Sequence, residues 1–221
     1  MTSGVSRAAS LADCIEHTLL RGDATPDDVA RLCDEALENG LFGVCVAPVY
    51  VGAAYALVAD RACVVTVAGF PLGSSTSAVK AREASAAVDA GAREVDMVMA
   101  LGAARAGDWT TVETDVRAVR TAVPGAVLKV ILETGLFSEA AIRRAAQVCV
   151  AAGADFVKTS TGFGPRGATV EDVQILCDAV RGDARVKAAG GIRTTAQARA
   201  MLEAGAARIG TSSGPAIAAG E

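Results

Sequence analysis

The sequence predicts an α/β fold, a single (β/α)8 TIM barrel formed by residues 1–221. Apolar, β-rich runs alternate with Ala-rich amphipathic segments, small polar residues follow many of the runs, and several amphipathic segments end in glycine. Strict alternation of strand and helix implies parallel strands joined by crossover helices. A chain of 221 residues suits one domain of this size.

Eight apolar runs are predicted to form the strands of the barrel. The first, Cys14–Thr18, is short. The alternative is an open doubly wound sheet, but no Gly-x-Gly-x-x-Gly turn follows the first strand. Eight strands in about 200 residues favour the barrel, whose active site lies at the C-terminal ends of the strands. The other seven runs are Phe42–Ala47, Cys63–Ala68, Glu94–Met99, Val127–Glu133, Asp155–Thr159, Val186–Ala189 and Arg208–Thr211.

Amphipathic segments between these runs are predicted to be helices. They include Thr76–Ala90, Asp108–Ala122, Ser138–Ala151, Thr169–Arg181 and Thr194–Ala204. Polar residues that can cap a helix N-terminus stand at the expected starts, and glycines stand just beyond the expected ends. The predicted N-caps are Asp27, Ser138 and Thr194, and the predicted terminal glycines are Gly40, Gly91, Gly153 and Gly205.

Composition and charge argue against several classes of protein. A formal net charge of -4 disfavours general nucleic-acid binding, which needs a basic face. No apolar run reaches the roughly 20 residues that span a bilayer, and the N-terminal residues lack a signal-peptide core. A cytoplasmic location is therefore expected. The six cysteines are scattered singly and His17 is the only histidine, so no metal site is expected.

Lysine is rare, and its positions carry the strongest chemical signal. Of 21 basic residues only four are lysine, and three of these, Lys129, Lys158 and Lys187, fall inside apolar strands. Only an amine can lose its proton, attack a carbonyl and become an imine, which a guanidinium cannot do. A core ion pair is the alternative for any one of these lysines. Three together, with the loops that follow them, favour amine chemistry.

A carboxylate also lies in the middle of an apolar strand. Asp96 shares one face of its predicted strand with Glu94, since side chains alternate with a period of two. A buried carboxylate must be paired, hydrogen-bonded or protonated, and the strand lysines across the barrel are its expected partners. A purely structural salt bridge is the alternative.

Loops rich in small residues follow the last three strands. Their backbone N–H groups can approach an anion closely, and their serine hydroxyls add donors. Loops after the last two strands are the usual phosphate site of this barrel. The predicted phosphate-binding residues are Gly162, Gly190, Gly191, Gly210, Ser212 and Ser213.

At these motifs the sequence resembles the deoxyribose-phosphate aldolase family of class I, Schiff-base aldolases, and the match covers nearly the whole chain. The specific blocks are Glu-Val-Asp-Met-Val (94–98), Phe-Val-Lys-Thr-Ser-Thr-Gly-Phe (156–163) and Val-Lys-Ala-Ala-Gly-Gly-Ile-Arg (186–193). The resemblance implies reversible cleavage of 2-deoxy-D-ribose 5-phosphate to acetaldehyde and D-glyceraldehyde 3-phosphate, in deoxyribonucleoside catabolism. It also implies a homodimer. No cofactor is implied, because the protonated imine is itself the electron sink.

The resemblance also implies roles for three residues. Lys158 is the imine-forming lysine, Lys187 its cationic neighbour, and Asp96 shuttles protons through water. Two other functions remain open: a Schiff-base or transaldolase-like barrel acting on another phosphosugar, and a barrel that binds phosphate without catalysis.

Two positions depart from the family pattern. Glu16 stands where an aspartate is expected, and Phe163 stands where one branch of the family has a lysine. Arg166 and Arg193 are the nearest cations that could replace that lysine beside a phosphate. His17 invites interpretation as a general base, although a packed or hydrogen-bonded histidine is the expected role.

Overall fold

Parallel strands form the central layer of the structure. The computed structural model describes residues 10–221, and within them eight strands close into a barrel in sequence order, with β8 paired to β1. This confirms the predicted (β/α)8 barrel; residues 1–9, where the predicted domain starts, lie outside the described residues. The strands are β1 (Ile15–Leu19), β2 (Gly43–Val46), β3 (Cys63–Ala68), β4 (Glu94–Val98), β5 (Val127–Ile131), β6 (Phe156–Lys158), β7 (Arg185–Ala189) and β8 (Arg208–Thr211).

Helices form the outer layer. Aliphatic side chains from both layers fill the space between barrel and helices, and they include Val95, Leu128 and Leu176. Among the described residues, no helix is long and apolar enough to cross a membrane. The helices are α1 (Pro26–Glu38), α2 (Val51–Val58), α3 (Ser77–Asp89), α4 (Leu101–Ala106), α5 (Trp109–Ala122), α6 (Glu139–Ala151), α7 (Val170–Val180), α8 (Thr195–Glu203) and α9 (Gly214–Ala219).

The helix boundaries follow the predicted capping residues with one correction. Thr194 caps α8 through a hydrogen bond from the Gln197 amide, and Ser138 is the N-cap of α6. The predicted cap Asp27 is wrong: Thr25 caps α1, because Pro26 occupies the first helical position and needs no hydrogen-bond acceptor. The four predicted terminal glycines all have positive φ, as helix-ending glycines require.

Strand register brings the candidate residues together. Lys158 of β6 pairs with Lys187 of β7, and Asp96 of β4 pairs with Lys129 of β5. Their side chains therefore enter the barrel at similar heights. The remaining lysine, Lys80, lies outside the barrel on α3 and forms a buried ion pair with an aspartate of α5.

Candidate active site

Six of the eight strands direct buried charged side chains into the barrel. Alternation along each strand places these side chains inside while their neighbours pack against the helices. All are buried, and none is more than 6% exposed. They are Glu16 from β1, Glu94 and Asp96 from β4, Lys129 from β5, Lys158 from β6, Lys187 from β7 and Arg208 from β8.

Asp96 lies at the centre of this group and contacts all three strand lysines. Its Oδ2 accepts hydrogen bonds from Lys158 and from Lys187, each at 2.7 Å. Its Oδ1 accepts a hydrogen bond from Lys129 at 2.8 Å. Burial alone would raise the pKa of Asp96, but the three ammonium groups hold it well below its usual value. Asp96 is therefore a carboxylate, and the predicted pairing with the strand lysines is confirmed.

Six of the seven charged residues form a closed loop of alternating charge. Lys129 forms an ion pair with Glu94 at 2.6 Å. Arg208 bridges Glu94 at 3.2 Å and Glu16 at 3.0 Å. Lys187 donates a hydrogen bond to Glu16 and closes the loop on the central aspartate. We call these six residues the interior ring; in order they are Asp96, Lys129, Glu94, Arg208, Glu16 and Lys187.

The two neighbouring lysines have different environments. Lys158 lines a cavity at the C-terminal end of the barrel and contacts the ring only at Asp96. Burial and the charge of Lys187 lower the pKa of Lys158 against the attraction of Asp96. Lys187 is fully buried and lies between Asp96 and Glu16. Burial opposes its charge as well, but the two carboxylates raise the pKa of Lys187. The geometry thus makes Lys158 the accessible amine and Lys187 a stable ammonium group.

Strands β2 and β3 supply an apolar wall opposite the charges. Cys45, Val65 and Val67 form a small cluster there, with Leu20 and Phe70 packed at its upper edge. Burial raises the pKa of the Cys45 thiol to about 11, so the thiol is neutral near pH 7. A ligand in the barrel mouth therefore meets one charged wall and one apolar wall.

The cavity at the C-terminal ends of the strands has a volume of about 350 Å³. The predicted residues Gly162, Gly190, Gly191, Gly210 and Ser212 all line it, together with Lys158. Ser213 is not part of the lining; its amide donates to Thr211 Oγ1 at 2.9 Å. The walls also include six side chains that are not among the predicted phosphate-binding residues. These are Thr18, Leu20, Arg21, Thr161, Phe163 and Arg193.

Glycine leaves room for close contacts at two positions beside the cavity. A Cβ atom on Gly167 would lie 2.1 Å from the carbonyl oxygen of Gly190, so the loop after β6 packs directly on the loop after β7. A Cβ atom on Gly210 would lie 3.1 Å from Cε of Lys187. The glycine on β8 therefore leaves the space in which Lys187 reaches the interior ring.

Comparison with known proteins agrees with this geometry. The sequence model of the DeoC/LacD family of aldolases matches residues 12–220. The chain belongs to this family. It is 57% identical to a deoxyribose-phosphate aldolase of Thermus thermophilus and 52% identical to one of Deinococcus radiodurans, each match covering 96% of both chains.

Solved structures of aldolases superpose closely on this member of the family. An aldolase designated QR15 is 40% identical, with a TM-score of 0.92 and coverage of 95% of this chain and 94% of that one. A deoxyribose phosphate aldolase from Aeropyrum pernix, described as tetrameric, is 36% identical with a TM-score of 0.88, and 95% and 89% of the two chains are covered.

Two side chains with predicted alternatives lie away from the interior ring. His17 is next to Glu16 on β1 but alternation turns it outward, where its Nε2 bonds Glu35 of α1 at 2.7 Å. It therefore plays the packed, hydrogen-bonded role. Arg166 forms a two-point ion pair with Asp172 and does not line the cavity. Arg193 remains on the cavity wall.

Glu133 is a buried residue beside the site that the sequence did not single out. Its φ of 53° is in the left-handed region, which costs a residue other than glycine about 1 kcal/mol or more. Its Oε2 accepts hydrogen bonds from the amide and hydroxyl of Thr161, and the Thr161 hydroxyl accepts one from the Phe163 amide at 3.0 Å. Glu133 thereby fixes the turn after β6 that lines the cavity.

One group of potential metal ligands lies inside the barrel. Single atoms of Glu16, Cys45 and Asp96 are within 4.8 Å of one another. Both carboxylates already accept hydrogen bonds from Lys187, so a cation would have to displace an ammonium group. The expectation of a metal-free, cofactor-free reaction stays a prediction.

Proposed function

We propose that this protein is a deoxyribose-phosphate aldolase, which reversibly cleaves 2-deoxy-D-ribose 5-phosphate to acetaldehyde and D-glyceraldehyde 3-phosphate. One observation carries the assignment of roles. A lysine that reaches the cavity, Lys158, shares one oxygen of Asp96 with a second, fully buried lysine, Lys187. Identity above 50% with curated deoxyribose-phosphate aldolases over almost the whole chain supports the substrate.

In this proposal Lys158 acts as the nucleophile. Its neutral amine attacks C1 of the open-chain sugar, and loss of water together with uptake of one proton from solvent gives a protonated imine. Removal of the proton from the C3 hydroxyl then breaks the C2–C3 bond, and the bonding electrons move to the iminium nitrogen to form an enamine. Glyceraldehyde 3-phosphate leaves, C2 takes up a proton, and water hydrolyses the imine to release acetaldehyde.

The neighbours of Lys158 supply the electrostatics of this reaction. A lysine in water titrates near pH 10.4, so the amine needs a lower pKa to react near neutral pH. Two unit charges about 5 Å apart interact by roughly 3 kcal/mol at an effective dielectric constant of about 20, which corresponds to about 2 pKa units. Lys187 is the proposed source of that repulsion. Asp96 is ionised before the reaction starts and relays protons between water and the reacting groups.

The phosphate is proposed to bind where the loops after β6, β7 and β8 meet. Gly162, Gly190, Gly191, Gly210 and Ser212 offer backbone amides and a hydroxyl along the cavity, a common form of phosphate site in this fold. Ser213 stays a predicted contact next to the lining. A cytoplasmic location, a homodimeric state and a single domain over residues 1–221 complete the proposal.

Trapping with borohydride tests the nucleophile. Incubation with deoxyribose 5-phosphate and borohydride should inactivate the enzyme and add the reduced adduct to the peptide that contains Lys158. The peptide that contains Lys80, another buried lysine, serves as the internal control and should stay unmodified. Lys158→Arg should abolish both adduct and turnover although the charge is kept, because a guanidinium forms no imine.

The same assay separates the alternatives. Label on Lys187 would reverse the two lysine roles. Trapping by other phosphosugars, without turnover of deoxyribose 5-phosphate, would favour an aldolase or transaldolase of different specificity. Phosphate binding with neither trapping nor turnover would favour a barrel that only binds its ligand.

A further inference from the structure

The interior ring extends from the reacting amine to the opposite end of the barrel. Asp96 contacts Lys158 at the cavity, whereas Glu94 lines a separate opening of about 630 Å³ beside Phe42 and Cys63, at the N-terminal ends of the strands. Arg208 lies with its guanidinium carbon 3.3 Å from the centre of the Phe42 ring. The ring therefore connects two ends of the barrel that are otherwise separated by packed side chains.

The charges of the interior ring cancel, so the ring as a whole does not balance a charge on Lys158. Three carboxylates alternate with three cations around the ring. Lys158 is the seventh charged group of the interior. A proton on its amine would give the buried interior a net positive charge, which a poorly solvated environment disfavours. Loss of that one proton restores neutrality.

We propose that Arg208 and Glu94 are positioning residues for the reaction, which set the protonation of the Lys158 amine from the far end of the barrel through the charge balance of the interior ring: the Arg208 cation favours the neutral amine, and the Glu94 carboxylate offsets that cation. This inference rests on the proposed function, in which Lys158 is the nucleophile. Neither Arg208 nor Glu94 lines the cavity that contains Lys158. Both act through the ring and not on the substrate.

Ion-pair partners decide which group of the interior releases its proton. Arg208 keeps its charge at any ordinary pH, so only a lysine can release the excess proton. Lys129 lies within 3.4 Å of three carboxylates and Lys187 bonds two. Lys158 has only Asp96 among the described residues. Its ammonium is the least stabilised of the three.

Strands β2 and β3 add no charge around Lys158. From β2, Cys45 faces it with a thiol whose pKa burial raises to about 11. From β3, Val65 and Val67 contribute only apolar surface. The charged groups in contact with the amine's side of the barrel are Asp96 from β4 and Lys187 from β7, and Arg21 and Arg193 lie on the wall of the cavity that Lys158 lines. One step further away are the remaining members of the ring, which are Glu16, Glu94, Lys129 and Arg208.

Substitutions of opposite sign test this inference. Arg208→Met removes a cation and should raise the pKa of Lys158, whereas Glu94→Gln removes an anion and should lower it. Each shift should be about 1 pH unit, as for a unit charge about 10 Å away at an effective dielectric constant of about 20. The double variant restores neutrality and should return close to the wild-type value. Asp115→Asn removes a buried carboxylate outside the barrel and should leave the pKa unmoved.

Two readouts are measured on the full-length enzyme. The first is the rate at which formaldehyde and cyanoborohydride methylate the Lys158 peptide as a function of pH, which follows the neutral amine without any turnover. The second is the rising limb of kcat/KM for deoxyribose 5-phosphate against pH. Thermal unfolding of each variant identifies those that fold. If Arg208→Met does not fold, the comparison of Glu94→Gln with the double variant decides the test.

The outcomes separate the inference from the proposed function. Opposite shifts in the single variants, with recovery in the double variant, support the inference. Unmoved profiles, or shifts of the same sign in both single variants, overturn it. Normal turnover and trapping with unmoved profiles would refute the inference alone. Shifts in methylation with no turnover by the wild-type enzyme would refute the proposed function and leave the charge balance intact.

Discussion

Phe163 provides the sharpest test of how the cavity recognises phosphate. It lies in the turn after β6, is 59% exposed, and lines the same cavity as Gly190 and Arg193. Its ring meets that of Phe70 edge-on at 5.4 Å between centroids. We expect Phe163→Lys to place an ammonium group beside the phosphate without disturbing Lys158.

The size of the effect follows from the new contact. A hydrogen bond between charged partners contributes about 1.5–3 kcal/mol, which equals roughly 10- to 100-fold in binding. Loss of the edge-to-face pair with Phe70 costs about 0.5–1.5 kcal/mol, and this cost affects stability, not the choice between substrates. The preference for phosphorylated sugar should therefore increase by one to two powers of ten.

The assay compares kcat/KM for deoxyribose 5-phosphate with kcat/KM for deoxyribose. Phe163→Met is the matched control, because it removes the ring without adding charge, and its ratio should stay near that of the wild type. Added salt should reduce the gain of Phe163→Lys, since partly exposed charges are screened. An unchanged ratio for Phe163→Lys would show that position 163 does not face the phosphate and would refute our placement of this turn.

Two further substitutions test residues around Lys158. Lys187→Met removes the ammonium that shares an oxygen of Asp96 with Lys158, so the pKa of Lys158 should increase. The rising limb of the kcat/KM profile should then move to higher pH by about 2 units. A limb that stays in place would mean that Lys187 does not perturb the amine. Glu133→Gly removes the carboxylate under the turn after β6 while tolerating its positive φ, and we expect KM to increase about tenfold with little change in kcat. The KM of Glu133→Gln should stay close to that of the wild type. A large loss of kcat in either variant would contradict a purely positioning role.

Periodicity alone predicted most of the fold. The alternation of strand and helix depends on local chemistry, and the closed barrel of parallel strands confirms it. The glycines after the helices also depend on local chemistry, and their positive φ angles confirm the predicted helix ends. Boundaries were less accurate. The predicted strand Val127–Glu133 ends at Ile131, because Glu133 turns into the left-handed region to reach Thr161. That contact is between residues far apart along the chain, and no local pattern could reveal it.

The site was predictable in part for a similar reason. Position in a strand singled out Lys129, Lys158, Lys187 and Asp96, and period two placed Asp96 on the same face as Glu94. The family resemblance, not the strand pattern, selected Lys158 and Lys187 among the lysines. The ion pairs of Arg208 could not be predicted, because its partner Glu16 is 192 residues away along the chain and the two meet only when β8 closes on β1. Closure of the barrel, not sequence proximity, assembles the interior ring.

The distribution of lysine and arginine now has a structural explanation. All four lysines of the chain are buried, three in the barrel and Lys80 against Asp115 at 2.6 Å, while most of the arginines are at least partly exposed. A compact ammonium fits between buried carboxylates and can release a proton. Arg208, inside the barrel, can release none. Placing one permanent cation among titratable ones directs deprotonation to the lysine with the fewest carboxylate partners, and that lysine is the one at the cavity.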